Sequence, residues 1–389
     1  MAHQPTITGF LADSGHPVRP GSPLWEQPLP GDRHGAPGIN VRYGDYFQAV
    51  FAFLQKDGCR RLRRAAADQL GRAVQPDAIE SIEVFLEKHG AFYHPARVRF
   101  ACGGVPVSLV VNVAASAEGK GVFEAEVCAL RRLAGRGNAA VPKVFAADRI
   151  DLKAGPGLCL FLGQWFEGFH EFHLSGDPLA AGRLGVRVWD SAKGPYFLED
   201  GPARILYRKA ARLLTDLYDP ASRDQVLGWH HAAGDFVVRI DPTGGVEVRL
   251  ITVRKYAPLV AAESADPQAM VEGLVLFSLG MTQAMRLDRL DGVGETVWAD
   301  DWVLAEAMAG LHRGLSAKGA QGAFPPGFVD GFFQYLARYP EDDLAETARR
   351  LADRYPETSS NRRLVRSRAT DHVRAFQRIA DTLATNGQS

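Results

Sequence analysis

The sequence predicts an α+β protein with two lobes, a small lobe built on an antiparallel sheet and a large, mainly helical lobe. Strand-like alternation of apolar and polar residues is concentrated between about residues 80 and 165, and helical periodicity dominates from 166 to 389. The length of 389 residues exceeds that of most single domains, so two lobes are the natural expectation.

The composition is that of an ordinary globular protein, with 46% hydrophobic and 23% charged residues. Lys+Arg and Asp+Glu both number 45, so no overall field favours nucleic acid or a membrane surface as a partner. Cys59, Cys102, Cys128 and Cys159 are scattered without a C-x-x-C pair, and no apolar run of about 18 residues or secretion signal is present. We therefore expect a cytoplasmic protein that recognises its ligand locally.

The first 79 residues are expected to form an N-terminal arm and a helical extension. Residues 1 to about 40 are rich in Pro and Gly and suggest an extended arm. The segment DYFQAVFAFLQK then places its apolar residues on one helical stripe, and five arginines follow between Arg60 and Arg72. On an amphipathic helix such a run is usually a solvated face, and we interpret it in that way.

Residues 80–165 predict a five-stranded antiparallel sheet with one helix. SIEVFLEKHGAFYHPARVRFACGGVPVSLVVNV is typical of a three-stranded meander with turns at Gly90 and at Gly103. GKGVFEAEVCALRRLAGRGN has helical spacing, and VPKVFAADRID and LCLFLGQWFEG read as two more strands.

The remainder, 166–389, predicts the helical lobe. Helical patterns occur at 203–218, 266–286, 300–316, 326–337, 341–354 and 367–385. A polar hairpin at 235–256 interrupts them, and a long insertion at about 175–202 is expected to shape a substrate or partner surface.

From about residue 80 onward, this order of elements resembles the protein-kinase-like superfamily, in particular its aminoglycoside and choline phosphotransferase branch. EAEVCALRRLA followed by VPKVFAAD resembles the helix-C stretch of that branch, which would make Glu126 its glutamate. Fourteen residues earlier (126 − 112 = 14), Asn112 stands where the family has its strand-3 lysine. The resemblance also implies a hinge at Gln164, Trp165 and Phe166 facing an adenine edge, with ATP and Mg²⁺ bound in the cleft between the lobes.

The stretch GWHHAAGDFVV resembles the branch's catalytic loop and the start of its hairpin. The alignment of Gly234 and Asp235 with the family's Gly-Asn pair puts Asp235 at a metal-binding position. Counting back five residues puts His230 at the catalytic aspartate, and RLITVRKYAP puts Thr252 at the second metal ligand.

Phosphoryl transfer in this family needs a lysine on the phosphates, two oxygen ligands for Mg²⁺ and a carboxylate that accepts a proton. Asn112 carries no charge and Thr252 is a weak ligand, so only Asp235 keeps a hard anionic oxygen. We therefore expect a pseudokinase that binds a nucleotide, a small molecule or a protein partner in the cleft. The alternative is an ATP-dependent phosphotransferase acting on a small-molecule hydroxyl, with His230 as base, Asp235 on the metal, and Arg254 or Lys255 supplying positive charge.

A third hypothesis is a metal site unrelated to phosphate. His170 and His173 are three residues apart, and His230 and His231 are adjacent. Neighbouring side chains diverge on most backbones, so histidines hydrogen-bonded to their neighbours are the ordinary interpretation.

Four of the candidate residues have ordinary structural interpretations. Asp235 could open the hairpin as an Asx turn, Glu126 could be an exposed helix charge, and Trp165 and Phe166 could be core residues.

Overall fold

The computed structural model of the chain describes residues 5–31, 40–90, 92–152, 157–178, 182–230, 234–260 and 267–386. It is an α+β protein made of two compact units, residues 1–167 and 168–389. The predicted lobe boundary, between 165 and 166, lies two residues before the boundary between these units. No helix in the described part of the chain is long and apolar enough to cross a membrane.

The first unit contains a seven-stranded sheet with the order β2-β1-β3-β4-β5-β7-β6. Its strands are β1 (Thr6–Leu11), β2 (Pro17–Val18), β3 (Ser81–Leu86), β4 (His94–Cys102), β5 (Val105–Ala114), β6 (Val144–Ile150) and β7 (Leu158–Gln164). The five strands from β3 to β7 pair antiparallel throughout, as the alternation of apolar residues predicts.

The N-terminal segment differs from the predicted extended arm. Thr6–Leu11 forms β1, which pairs parallel with β3 and widens the sheet, and the first 79 residues lie within the first unit. Ile7 and Leu11 pack against the core, and a Cβ on Gly9 would lie 2.5 Å from the Phe47 ring. The strand was not evident from the sequence because its pairing partner lies some seventy residues away and the alternation in TITGFL is weak.

Helix α1 (Tyr43–Leu70) covers one face of this sheet and shares its main apolar core. The helix is interrupted at Asp57, Gly58 and Cys59, whose φ values of 55°, 61° and 60° form a left-handed turn. Its basic run is not wholly solvated, which corrects our expectation. The Arg61 guanidinium lies 2.6 Å from the Asp148 carboxylate on β6 and packs over the Phe53 ring, so it ties the helix to the sheet.

Helix α2 (Ala117–Gly135) lies against the opposite face of the sheet and begins at Ser116, whose hydroxyl accepts a hydrogen bond from the Gly119 amide. Leu160 and Leu162 on β7 belong to the core beneath α1, so Phe161 between them points to the other face. There it meets Phe123 of α2, with ring centroids 6.0 Å apart. The two helices therefore cover opposite faces of one sheet.

The second unit is mainly helical. Its helices are α3 (Asp200–Leu217), α4 (Pro267–Arg286), α5 (Asp301–Ala320), α6 (Phe328–Arg338), α7 (Glu341–Leu351) and α8 (Ser360–Asn386). They match the six predicted helical patterns to within a few residues, except that α8 begins seven residues before the predicted 367.

The second unit also contains strands. They are β8 (Phe172–Gly176), β9 (Leu184–Val188), β10 (Tyr196–Phe197), β11 (Gln225–Leu227), β12 (Phe236–Ile240), β13 (Val246–Leu250), β14 (Lys255–Ala257), β15 (Leu287–Arg289) and β16 (Thr296–Trp298). The long insertion at 175–202 forms most of the three-stranded sheet β10-β9-β8. The polar hairpin is β12-β13, and β14 at its end pairs with β11 instead.

Two glycines bring α3 and α5 into close contact. A Cβ on Gly310 would overlap the carbonyl oxygen of Arg208, and one on Gly314 would overlap the Thr215 side chain. Small residues at these positions let the two helix backbones approach closely. This packing fixes the base on which the hairpin β12-β13 rests, since α3 also contacts β13.

Candidate functional site in the β12-β13 region

Asp235, the predicted metal ligand, is the centre of a buried ion pair. Its side chain is only 1% exposed, and each of its oxygens lies 2.7 Å from a terminal nitrogen of Arg254. Oδ2 also accepts a hydrogen bond of 2.7 Å from the His230 backbone N–H. The carboxylate is therefore held by a two-pronged guanidinium contact and a backbone amide, the strong form of such a pair.

The loop that carries His230 is folded back onto the hairpin by these same contacts. Arg254 donates a third bond, to the Gly228 carbonyl oxygen at 3.0 Å, and the Ile251 amide donates to the Asp235 carbonyl oxygen at 2.8 Å. Trp229 meets the ring of Phe236 edge to face, with centroids 5.5 Å apart. Asp235 and Arg254 thus hold residues 228–230 against the hairpin.

A cation at Asp235 would meet the charge of Arg254. An Mg²⁺ about 2.1 Å from a carboxylate oxygen would lie within about 5 Å of the guanidinium nitrogen that is 2.7 Å from that oxygen. At an effective dielectric constant of about 20, the repulsion between the two charges is about 7 kcal/mol. Arg254 therefore opposes the binding of a cation at this position.

Gly234, immediately before Asp235, has a backbone conformation that favours glycine. Its φ is +70°, a conformation that costs other residues energy, and a Cβ at this position would lie 2.5 Å from Oε1 of Glu171. Glu171 therefore packs directly over the backbone that precedes the ion pair. The sequence reasoning missed Glu171, although GFHEFHLS places this acid between the two candidate histidines.

His173 sits in a buried network with two carboxylates. It is 2% exposed, its Nδ1 lies 3.4 Å from Asp288 Oδ1, and its Nε2 lies 3.9 Å from Glu171 Oε2. Burial by itself would lower the pKa of His173, but the hydrogen bonds and charges of Asp288 and Glu171 outweigh it and raise the pKa. The Leu174 amide donates to the other Asp288 oxygen at 2.7 Å, so the acid is held in place.

The histidines of the third hypothesis that the structure describes contact separate groups. His170 is bridged to Val238 through paired backbone bonds, and its Nε2 lies 3.5 Å from Asp190. His173 belongs to the network with Asp288, and His231 lies outside the described residues. Within the part of the chain that the structure describes, no group of three or more metal-ligating side chains comes together.

Thr252, Arg254 and Lys255 all lie in the segment after β13, and of the three Arg254 contacts Asp235. Thr252 is half-buried and is the second residue after the strand, and Lys255 is exposed at the start of β14. Arg254 is 15% exposed and carries the positive charge of this segment to Asp235. Of the two cations considered for the alternative mechanism, the structure brings Arg254 to the candidate acid.

Candidate residues in the first unit

Asn112 lies on β5, on the sheet face that carries α2. It is opposite Phe161 in the pairing with β7, and the strand alternation points it away from the core under α1. Glu126 lies on α2 and is 1% exposed, so it is not the exposed helix charge of the ordinary interpretation. The sequence spacing therefore identified a buried glutamate on the helix that packs against the same face as Asn112.

The predicted hinge residues end β7 and continue beyond it. Gln164 is the last residue of the strand, and its backbone N–H donates to the Lys143 carbonyl at 2.9 Å. Trp165 and Phe166 are half-buried, and the Arg97 guanidinium lies 5.5 Å from the centre of the Trp165 ring. Arg97 also contacts Glu87 at 2.8 Å, so an ion pair and an aromatic ring occupy this part of the sheet face.

The turn between β3 and β4 is anchored by side chains. The Nδ1 atoms of His89 and His94 are 3.0 Å apart, and the Tyr43 hydroxyl lies 3.2 Å from His89 Nε2. The Tyr46 hydroxyl donates to the His94 carbonyl at 3.0 Å. Burial, together with the neighbouring His89, lowers the pKa of His94 to about 4.

Comparison with known proteins adds no family to these observations. No protein-family model matches the chain, and a search of curated proteins gives no significant match.

Proposed function

We propose that this protein is a kinase-like pseudokinase, a protein that keeps the architecture for binding a ligand, in the first instance a nucleotide, and does not transfer phosphate. The ion pair between Asp235 and Arg254 carries the proposal. It neutralises the one anionic oxygen donor that the family's metal positions retain in this chain. Without that charge, Mg²⁺ has no strong anchor at this position.

The architecture of the first unit supports the kinase-like part of the proposal. Strands β3 to β7 are antiparallel in the order β3-β4-β5-β7-β6, and α2 lies in the chain between β5 and β6. Glu126 on α2 is buried, and Asn112 lies on the sheet face that α2 covers. These features fit the positions that the resemblance assigns to the family's lysine and glutamate.

The chemistry supports the inactive form. Asn112 cannot supply the positive charge that a lysine places on the phosphates, and Thr252 is neutral. His230 donates its backbone N–H to Asp235, and the segment from 228 is held by Arg254. Nucleotide binding in this protein should therefore depend on contacts other than a bridging metal.

The test is a thermal-shift titration with ATP in the presence and absence of Mg²⁺, followed by an assay of phosphate release. We expect ATP to raise the melting temperature equally with and without Mg²⁺, and no phosphate release above the background. Mg²⁺-dependent turnover that disappears in His230→Ala and Asp235→Asn would favour the alternative phosphotransferase. Absence of any shift at millimolar ATP would remove nucleotide as the ligand.

A matched pair of variants sharpens the test. Arg254→Met removes the charge that opposes a cation, and Arg239→Met removes an exposed arginine of the same hairpin that pairs with Glu247. If the ion pair is what prevents metal binding, Mg²⁺ should stabilise the Arg254→Met protein and leave the Arg239→Met protein unchanged.

A further inference from the structure

The first turns of α8 carry a dense run of arginines. Between residues 358 and 370 there are four arginines and no acidic residue: Arg362, Arg363, Arg366 and Arg368. Asp353 pairs with both Arg362 and Arg366, at 2.7 and 3.1 Å. In the part of the chain that the structure describes, Arg363 and Arg368 have no carboxylate partner, and both are exposed. This surface therefore keeps a net positive charge in a chain whose overall charge is zero.

An open hollow of about 350 Å³ lies on the same helix. It is lined by Ser360, Arg363, Leu364 and Ser367 of α8 and by Thr296 of β16. Residues three, four and seven apart lie on one face of a helix, with neighbouring Cβ atoms about 5–6 Å apart, so the four α8 residues form a single stripe. Thr296 is fixed beside this stripe, because its Oγ1 lies 2.6 Å from Oγ of Ser360. The polar groups of the hollow are thus within reach of one extended ligand.

The hydroxyl groups of the hollow have already used their hydrogens. Thr296 donates to Oδ1 of Asn361 at 3.1 Å, so Ser360 must donate to Thr296. Ser367 donates to the Leu364 carbonyl oxygen at 2.9 Å. The Ser360 and Ser367 oxygens keep lone pairs as acceptors. They suit a ligand that brings N–H groups, as a peptide backbone does and the phosphodiester backbone of a nucleic acid does not.

Arg363 supplies the opposite kind of group to the same hollow. Its Nη1 donates to the Thr358 carbonyl oxygen at 3.1 Å, just before α8. A guanidinium has five N–H donors, so this contact leaves most of them for an acidic group. A carboxylate matches the geometry of these donors with its two oxygens. Leu364, half-buried beside Arg363, adds an apolar contact.

Donors for a carboxylate, acceptors for N–H groups and one apolar contact together fit an acidic peptide. From Ser360 to Arg368 the helix rises about 12 Å, at about 1.5 Å per residue, which is the length of about four residues of extended peptide. We propose that this face of α8 binds an acidic, extended segment of a protein partner. The carboxylates of the segment contact Arg363 and Arg368, and its backbone N–H groups donate to Ser360 and Ser367. The proposal is independent of the proposed pseudokinase function.

The experiment is fluorescence polarisation of the full chain with a labelled peptide. The peptide has about eight residues, twice the length of the stripe, with glutamates around a central leucine. At about 20 mM salt, where screening is weak, we expect one peptide to bind per chain and the affinity to fall as salt is added. The same peptide with glutamine in place of glutamate should bind at least about tenfold more weakly. A backbone N-methylated version should bind at least about threefold more weakly, because it lacks the donors to the serines.

Variants of the surface locate the binding. Arg363→Gln and Arg368→Gln should each weaken the peptide about threefold, and the double variant about tenfold. Ser367→Ala removes one acceptor and should weaken it about threefold. Glutamine is a good helix former, so the arginine variants should keep the melting temperature of the parent. Arg350→Gln, which alters an exposed arginine of α7 that pairs with Glu346, should leave binding unchanged.

Two results would overturn the proposal. One is no binding of the glutamate peptide at about 1 mM, the weak end of recognition. The other is equal binding by the parent and the Arg363→Gln/Arg368→Gln protein. A labelled oligothymidylate of the same length that binds as tightly as the peptide, and is lost in the double variant, would replace the peptide by a nucleic acid. Equal binding of the N-methylated peptide would overturn the role of the two serines.

Discussion

Replacement of Arg254 by methionine would test directly whether the ion pair at Asp235 holds the hairpin region together. The carboxylate left behind is 1% exposed and, among the residues that the structure describes, would keep only the His230 N–H as a donor. Breaking a buried pair by removing one partner costs about 3–5 kcal/mol. Because Arg254 is itself 15% exposed, water can reach the vacated space, and we expect the lower end, about 3 kcal/mol.

The double variant Asp235→Asn/Arg254→Met should recover most of that loss. It removes both charges, and replacing a buried pair with neutral groups is often close to neutral in stability. The coupling energy from the double-mutant cycle should therefore be about 2 kcal/mol or more.

Native-state hydrogen exchange is the appropriate assay, because a chain with two compact units does not guarantee a single unfolding transition. Opening free energies of the amides in β12 and β13 report on the hairpin itself. Arg239→Met is the control, since Arg239 is 43% exposed and its pair with Glu247 should contribute less than about 1 kcal/mol. Equal, small losses in the Arg254 and Arg239 variants would refute the reasoning.

Three further predictions follow from buried groups and from one glycine. His94 has a pKa of about 4 in the folded protein, against an ordinary value of 6.5, so as the pH falls below 6.5 this imidazole is protonated in the unfolded chain first. The free energy of unfolding should therefore drop by about 2 kcal/mol between pH 7 and pH 5. In urea denaturation, His94→Gln should flatten this part of the pH profile. His173 has a raised pKa, so its contribution to the free energy of unfolding is complete below pH 6.5 and is lost as the pH rises through the pKa of the folded protein. In His173→Gln, hydrogen exchange of the β8 amides should lose this pH dependence. An unchanged pH dependence would contradict the network of His173, Asp288 and Glu171. Gly234→Ala should cost about 2 kcal/mol or more in urea unfolding, since its φ is +70° and the new Cβ meets Glu171; Glu171→Ala should restore the steric part of that loss and leave the backbone part.

Much of the fold could be predicted because its signals are local. The alternation in SIEVFL and VRFAC marks two strands, and helical spacing marks all six helices of the second unit, whatever those segments pack against. The spacing of Glu126 likewise indicated a helix position, and that residue is buried. Local periodicity records which side of an element is apolar, and that suffices to order the elements along the chain.

The candidate site could be predicted only in part. The sequence singled out Asp235 and His230, and the structure brings these two together through the hydrogen bond from the His230 N–H. The sequence did not identify Arg254 as the partner that contacts both oxygens of Asp235, and it did not identify Glu171 as the residue packed over Gly234. Which cation reaches a given carboxylate depends on how strands are brought side by side, and no spacing rule expresses that.

The amino-acid sequence by itself determined the order and type of most elements and the antiparallel pairing of the strands from β3 to β7. Only the tertiary structure decided that Thr6–Leu11 joins the sheet parallel to β3, that Arg61 pairs with Asp148 on β6, and that Asp235 forms an ion pair with Arg254. The physical reason is the separation along the chain of the residues that interact. Periodicity and turn chemistry act within a few residues, whereas strand pairing and the neutralisation of buried charge depend on groups that are distant along the chain and meet only when it folds.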